Sequence, residues 1–180
     1  GFDGRVLSMG EGQEYENELC SKGINIHYSD DLIDAVWEDR PSLSKKPAFF
    51  LEEKYSGEST SSKLARLREE MKSLGATSHI IITLDDIAWL LNFRGRDVAY
   101  TMVALCYAVI DMDAVHLFMN EAKISSEIKA EFSKDNIILH PYNDVYEYVR
   151  SLPDSEVVRG SRQVRLQVHR DHTWRVRDRQ

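Results

Sequence analysis

Between Leu84 and Asp97 the chain reads Leu-Asp-Asp-Ile-Ala-Trp-Leu-Leu-Asn-Phe-Arg-Gly-Arg-Asp, gathering three carboxylates, two guanidinium groups, an indole and an amide around one glycine. An arginine in such a set can take a planar carboxylate through paired N–H groups. A helix is expected after Thr83, whose hydroxyl is placed to cap it, with Asp85 and Asp86 in the first turn where the helix dipole favours negative charge. Leu84, Ile87, Ala88 and Leu91 then fall on one stripe. Trp89 lies about 200° around from Ile87 at roughly 100° per residue, on the side of Asp85 and Asp86. A large aromatic beside two carboxylates points to a contact beyond the local core, the alternative being a half-buried indole at a solvated turn. Gly95 is expected to supply the positive φ of the helix exit.

Other groups that could do chemistry are weaker. Asp111 and Asp113 have a metal-like Asp-x-Asp spacing, but two aspartates flanking a hairpin turn are favoured there for their turn chemistry. His169 and His172 would meet on a helix, yet they lack a third ligand and sit among arginines that repel a cation. His27, His79, His116 and His140 fall in or beside expected strands, as scattered core or edge residues. No serine occupies a nucleophile-elbow pattern, no glycine-rich phosphate loop occurs, and Gly10-Glu11-Gly12 is too short and acidic to cradle one. Cys20 and Cys106 are expected to be small buried hydrophobes; with only two cysteines, a disulfide framework is disfavoured and a reducing, cytosolic setting is favoured.

The elements that must position these residues alternate. Tyr15 to Lys22 reads as a helix stopped by Gly23, followed by a strand from Ile24 to Tyr28. Ser29 or Asp30 can cap a helix in which Leu32 and Val36, then Ile33 and Trp37, pair at i,i+4 until Arg40-Pro41. Ala48 to Leu51 is extended, and Ser59 to Leu74 is a helix with Leu64, Leu67, Met71 and Leu74 on one face, closed by Gly75. His79 to Ile82 is a buried strand leading into the Leu84 helix. Met102 to Ile110 is apolar on both faces, as a central strand should be, and turns at Asp111-Met112-Asp113 into Ala114 to Met119. A helix from Ile124 to Phe132, a strand from Ile137 to Leu139 and an amphipathic helix bearing Tyr142, Val145, Tyr146, Val149 and Leu152 complete the pattern. The expected fold is α/β, a single domain with a mixed sheet of about six strands flanked by helices.

With 180 residues and 42% hydrophobic content the chain can bury a core. No run approaches the roughly 20 apolar residues of a membrane helix, and no signal peptide opens it, so a soluble protein is expected. The net charge of −7 hides an asymmetry. Residues 159–180 hold seven arginines and no lysine against two aspartates, so the rest of the chain is the more acidic. Such a tail could bind nucleic acid or an acidic partner, but an arginine count without a binding fold is non-specific, and nucleic acid is disfavoured.

The Leu84–Asp97 segment also closely resembles the second-domain hallmark of three-domain Xaa-Pro aminopeptidases, metallopeptidases of the creatinase and prolidase superfamily. Further resemblances follow in the family's order: Gly1 to Val6; Asp31 to Trp37 with Asp39-Arg40-Pro41; Tyr55-Ser56-Gly57-Glu58-Ser59 before Lys63-Leu64; Ala104-Leu105-Cys106-Tyr107; and His140-Pro141-Tyr142. Together they cover roughly residues 1–152. The resemblance implies a creatinase amino-terminal-like domain over 1–153, an arginine-rich tail of uncertain order over 154–180, and a fragment of a longer enzyme. That enzyme would remove an N-terminal residue preceding proline with two divalent metal ions, commonly manganese, held by carboxylates and a histidine in a separate domain. None of those ligand roles falls on a residue here, so no catalytic or metal residue and no cofactor is expected, and the chain alone should be inactive. The implied partners are its own first and catalytic domains, a second copy in a cytoplasmic homodimer, and a proline-containing peptide substrate. Trp89, Asn92, Arg94, Gly95 and Asp97 are the implied interdomain or substrate-entrance residues. Family members usually carry proline where this chain has Met102, which makes the approach to the central strand less rigid here. The alternative is a stand-alone binding module that uses its arginine-rich tail.

Overall fold

The computed structural model describes residues 9–28, 32–153 and 158–160, which divide into two units. In the first, Met9–Cys20 forms α1, starting earlier than its periodicity suggests. It stops where Gly23 takes φ 72° and the amides of Gly23 and Ile24 return to the carbonyls of Cys20 and Leu19 at 3.0 and 3.1 Å. The strand expected over 24–28 does not form, and no strand is described in this unit. Leu32–Val36 forms α2, with Leu32, Ile33, Val36 and Trp37 all exposed. It ends well before Pro41, and the cap expected at Ser29 or Asp30 lies outside the described residues.

The second unit carries the sheet. Its elements in order are β1 (Phe49–Phe50), α3 (Glu53–Ser56), α4 (Thr60–Ser73), β2 (Ser78–Ile81), α5 (Leu84–Leu90), β3 (Phe93–Arg94), β4 (Cys106–Ile110), β5 (Val115–Met119), α6 (Ser126–Lys134), β6 (Ile137–His140), α7 (Val145–Ser151) and β7 (Val158–Gly160). The strands order as β6-β5-β4-β2, with β4 antiparallel to both neighbours and β6 parallel to β5; three-residue β7 adds beside β2 in parallel. β1 and β3 form a separate antiparallel ribbon. The fold is thus the expected mixed α/β one, but the main sheet is smaller than six strands because residues 24–28 form no strand and β1 pairs with β3 outside it.

The two faces of the sheet differ. Cys106, Ala108 and Ile110 of β4, with Val115, Leu117 and Met119 of β5, meet Leu64 and Met71 of α4, Ile87 and Leu90 of α5, and Ile128 and Phe132 of α6 in one aliphatic core. On the opposite face Tyr107 stands across from Phe118 and Val109 from His116, covered by Tyr146 and Tyr148 of α7. Ser59 caps α4 by accepting the Ser62 amide at 3.2 Å, as its hydroxyl permits. β4 is shorter than its apolar run. Residues 102–105 leave the ladder because the Asp97 side chain accepts the Leu105 amide at 2.7 Å and the Asp97 amide donates to the Val103 carbonyl at 3.2 Å.

Candidate functional site

α5 runs as expected, with Ile87, Ala88, Leu90 and Leu91 buried while Asp85, Asp86 and Trp89 share the exposed side. Thr83 precedes it in an extended conformation, yet its hydroxyl donates to the Asp86 carboxylate rather than capping a backbone amide. The left-handed residue at the helix exit is Asn92, φ 48°, and not Gly95. Asparagine tolerates that region better than most residues. Gly95 is required for a different reason: a Cβ there would lie 2.7 Å from the Ala104 Cβ and 2.8 Å from its Cα.

A buried lysine anchors this exit. Lys63 of α4, only 2% exposed, donates from Nζ to the Trp89 carbonyl and to Asn92 Oδ1, each at 2.7 Å. Asn92 Nδ2 in turn donates to the Glu58 carbonyl at 2.8 Å. The ammonium also sits 4.6 Å from the Trp89 ring, whose residue is 50% exposed, and the Arg66 guanidinium lies 5.9 Å from the same ring. Arg66 forks onto Glu58 at 3.2 and 2.7 Å. Arg94 donates to the carbonyls of Ala88 and Phe93, the latter at 3.1 Å. Burial lowers the Lys63 pKa; Glu58 opposes this and the positive charges of Arg94 and Arg66 reinforce it. Burial lowers that of Arg94 as well.

At the other end of the segment Asp97 is paired with Lys123, both side chains being almost wholly inaccessible. Burial pushes the Asp97 pKa up, but the Lys123 ammonium, the Leu105 amide and the Ser44 hydroxyl outweigh it, and the carboxyl stays below its usual range. Between this pair and the sheet, residues 98–101 form a small loop closed by a Val98–Thr101 bridge. Tyr100 stands at its tip with φ 63° and its side chain fully in solvent.

Of the five residues singled out by sequence, Trp89 and part of Arg94 therefore reach the surface. Asn92, Gly95 and Asp97 act from within, setting the helix exit, the approach to Ala104 and the root of the Tyr100 loop. Sequence reading missed Lys63 and Lys123. Lys63 lies next to the core residue Leu64, which is the one local sign that its stem points inward.

Residues 39–178 match the family model described as the creatinase/prolidase N-terminal domain. The chain belongs to this family. A probable Xaa-Pro aminopeptidase P of Laccaria bicolor is 36% identical over 90% of the chain and 26% of its own length, and Xaa-Pro aminopeptidase 1 of Dictyostelium discoideum is 37% identical over 84% and 25%. The crystal structure of X-prolyl aminopeptidase from Caenorhabditis elegans, a cytosolic enzyme with a di-nuclear active site, superposes with a TM-score of 0.76 at 32% identity, covering 83% of this chain and 25% of that one. The chain thus spans about a quarter of the length of these relatives.

Among the described residues no three His, Cys, Asp or Glu side chains converge as metal ligands. The Asp111 carboxylate is used in the hairpin turn, where Oδ1 accepts the amides of Asp113 and Ala114 at 2.8 and 2.6 Å. Cys106 is buried in β4, and burial pushes its thiol up to about 12, whereas Cys20 is exposed on α1, contrary to its expected burial. His116 and His140, expected as scattered residues, are brought within 3.0 Å of each other by adjacent strands. His169, His172 and residues 161–180 of the arginine-rich tail lie outside the described residues. No described helix is long and apolar enough to cross a membrane.

Proposed function

We propose that this chain supplies the non-catalytic, creatinase N-terminal-like domain of a metal-dependent Xaa-Pro aminopeptidase, which removes an N-terminal residue preceding proline. In that setting the face bearing Trp89 and Arg94 packs against the enzyme's other domains or subunits and bounds the approach of short peptides. The catalytic divalent ions, with manganese the expected metal, are held by another part of the enzyme, so no catalytic step falls to the residues described above. A cytosolic homodimer acting on proline-containing peptides is the inferred context.

The observation that supports this reading is a half-exposed indole set among charged side chains of both signs, with a guanidinium group beside it. The ammonium of Lys63 lies 4.6 Å and the Arg66 guanidinium 5.9 Å from the ring of the half-exposed Trp89, with Arg94 close enough to act on Lys63; Glu58 pairs with Arg66, and Asp85 and Asp86 share the exposed side of α5 with the indole. A planar cation beside an aromatic face suits a carboxylate offered by a neighbouring surface, and contacts of this mixed character are usual between domains.

In the full-length enzyme, Arg94→Ala should lower kcat/KM for an Xaa-Pro peptide about tenfold, equivalent to about 1.4 kcal/mol. Arg94→Lys should fall between, since it keeps the charge and loses the planar fork. Unchanged turnover together with unchanged sedimentation would remove the role assigned to Arg94. The 180-residue chain assayed alone should show no metal-dependent release of N-terminal residues, and robust activity would overturn the reading as a whole.

A further inference from the structure

On the aromatic face of the sheet, His116 of β5 and His140 of β6 point ring nitrogens at each other, His116 Nδ1 lying 3.0 Å from His140 Nε2. The second nitrogen of His116, Nε2, is 3.1 Å from Asp111 Oδ2. The other oxygen of this carboxylate, Oδ1, accepts the amides of Asp113 and Ala114 at 2.8 and 2.6 Å, so the group is held as an acceptor. An ionised carboxylate only accepts hydrogen bonds. His116 therefore carries its proton on Nε2 and presents the Nδ1 lone pair to His140. A carboxylate behind an imbalanced imidazole in this way is the arrangement that orients histidines toward metals.

The geometry points to a binding site for one divalent transition-metal ion of the zinc, nickel or copper class, held by His116 Nδ1 and His140 Nε2 and oriented by Asp111. Imidazole pairs suit these metals better than magnesium or calcium, which take oxygen ligands. Two metal–nitrogen bonds of about 2.0 Å at a tetrahedral angle place the nitrogens about 3.3 Å apart, so the rings must part by a few tenths of an ångström and each turn by about 35° for its lone pair to leave the N···N line and meet the ion. Their planes are already set by neighbours: His140 stacks on Phe118 at 4.8 Å between centroids, and His116 lies 4.6 Å from the Tyr148 ring. In the metal-free pair His140 donates from Nε2 to His116. On binding, that proton moves through solvent to the other nitrogen of His140, which frees the second lone pair with no net loss of charge. With two protein ligands, the remaining coordination positions fall to water, which reaches the partly exposed His116 side chain.

The test is calorimetric titration of zinc chloride into the 180-residue chain. One ion per chain is expected, weakened at least tenfold in His116→Gln and in His140→Gln, and about tenfold to a hundredfold in Asp111→Asn, the usual effect of losing an orienting carboxylate. The double variant His169→Gln/His172→Gln should bind as the parent does. Cobalt(II) should give a visible absorption spectrum that the His116→Gln variant lacks. Circular dichroism reports whether each variant remains folded, and in the unaltered chain zinc should shift the nitrogen-15 resonances of His116 Nδ1 and His140 Nε2 whatever the variants do. Absence of those shifts, binding that survives His116→Gln, or binding lost only in the His169/His172 variant would overturn the site.

Discussion

Two lysines are buried at opposite ends of the Leu84–Asp97 segment, and they are accommodated differently. Lys123 faces a carboxylate: its ammonium pairs with Asp97, and that end is electrically closed. Lys63 faces neutral oxygens, those of Trp89 and Asn92, and an aromatic ring, while its nearest charged company is mostly cationic. Equal burial therefore does not mean equal function. A closed pair fixes register, whereas a lysine satisfied by dipoles leaves a positive charge without a direct carboxylate partner just beneath the half-exposed Trp89.

The largest effect should come from opening the closed end. Lys123→Met leaves the Asp97 carboxylate buried without its cation and should cost about 3–5 kcal/mol in urea unfolding. The double variant Asp97→Asn/Lys123→Met should recover part of this, because it removes both charges. A loss below about 1 kcal/mol in the single variant would mean that water or relaxation replaces the pair. The pH dependence follows from the lowered pKa of Asp97. Its folded value lies below its unfolded one, so the contribution is fully present above the unfolded value of about 3.9 and is lost as pH falls through the folded value. The stability difference between the parent chain and Asp97→Asn should be flat near neutrality and shrink in acid.

Lys63→Met should cost less, about 1–3 kcal/mol, since it strands two acceptors and no charge. A cost equal to that of Lys123→Met would break the comparison. In a Trp37→Phe/Trp174→Phe background the same change should alter Trp89 fluorescence, because the ring loses the ammonium 4.6 Å away. Gly95→Ala should cost about 1–3 kcal/mol by driving a methyl into Ala104, with partial recovery on adding Ala104→Gly. No recovery would place the constraint elsewhere than the Gly95–Ala104 contact.

Helix α4, the exposed side of α5 and the Asp111 turn were legible because each rests on local periodicity or local hydrogen bonding. The ends of β4 were not, since an apolar run cannot reveal that Asp97, outside that run, takes the Leu105 amide away from the ladder. Of the five site residues the sequence marks the position but not the direction. Asn92 and Asp97 look like surface polar groups until Lys63 and Lys123 arrive from α4 and the segment before α6. The His116–His140 contact depends on β5 and β6 being parallel neighbours with Phe118 opposite His140, a register that no local pattern encodes.

The smallest and most discriminating effect concerns the open end at alkaline pH. The folded pKa of Lys63 is lowered, chiefly by burial, so the folded chain gives up this proton before the unfolded chain does. Stability should therefore rise as pH climbs through the folded value and stop rising near the unfolded value of about 10.4. The increment belongs to Lys63 if the difference between the parent chain and Lys63→Met grows over that alkaline range. A difference that does not change with pH would mean that Glu58 balances the ammonium after all. If the increment is present, a carboxylate brought up to Arg94 by a neighbouring domain should diminish it, because negative charge nearby raises the Lys63 pKa toward its ordinary value. The same titration in the full-length enzyme then reads the proposed contact from its buried side.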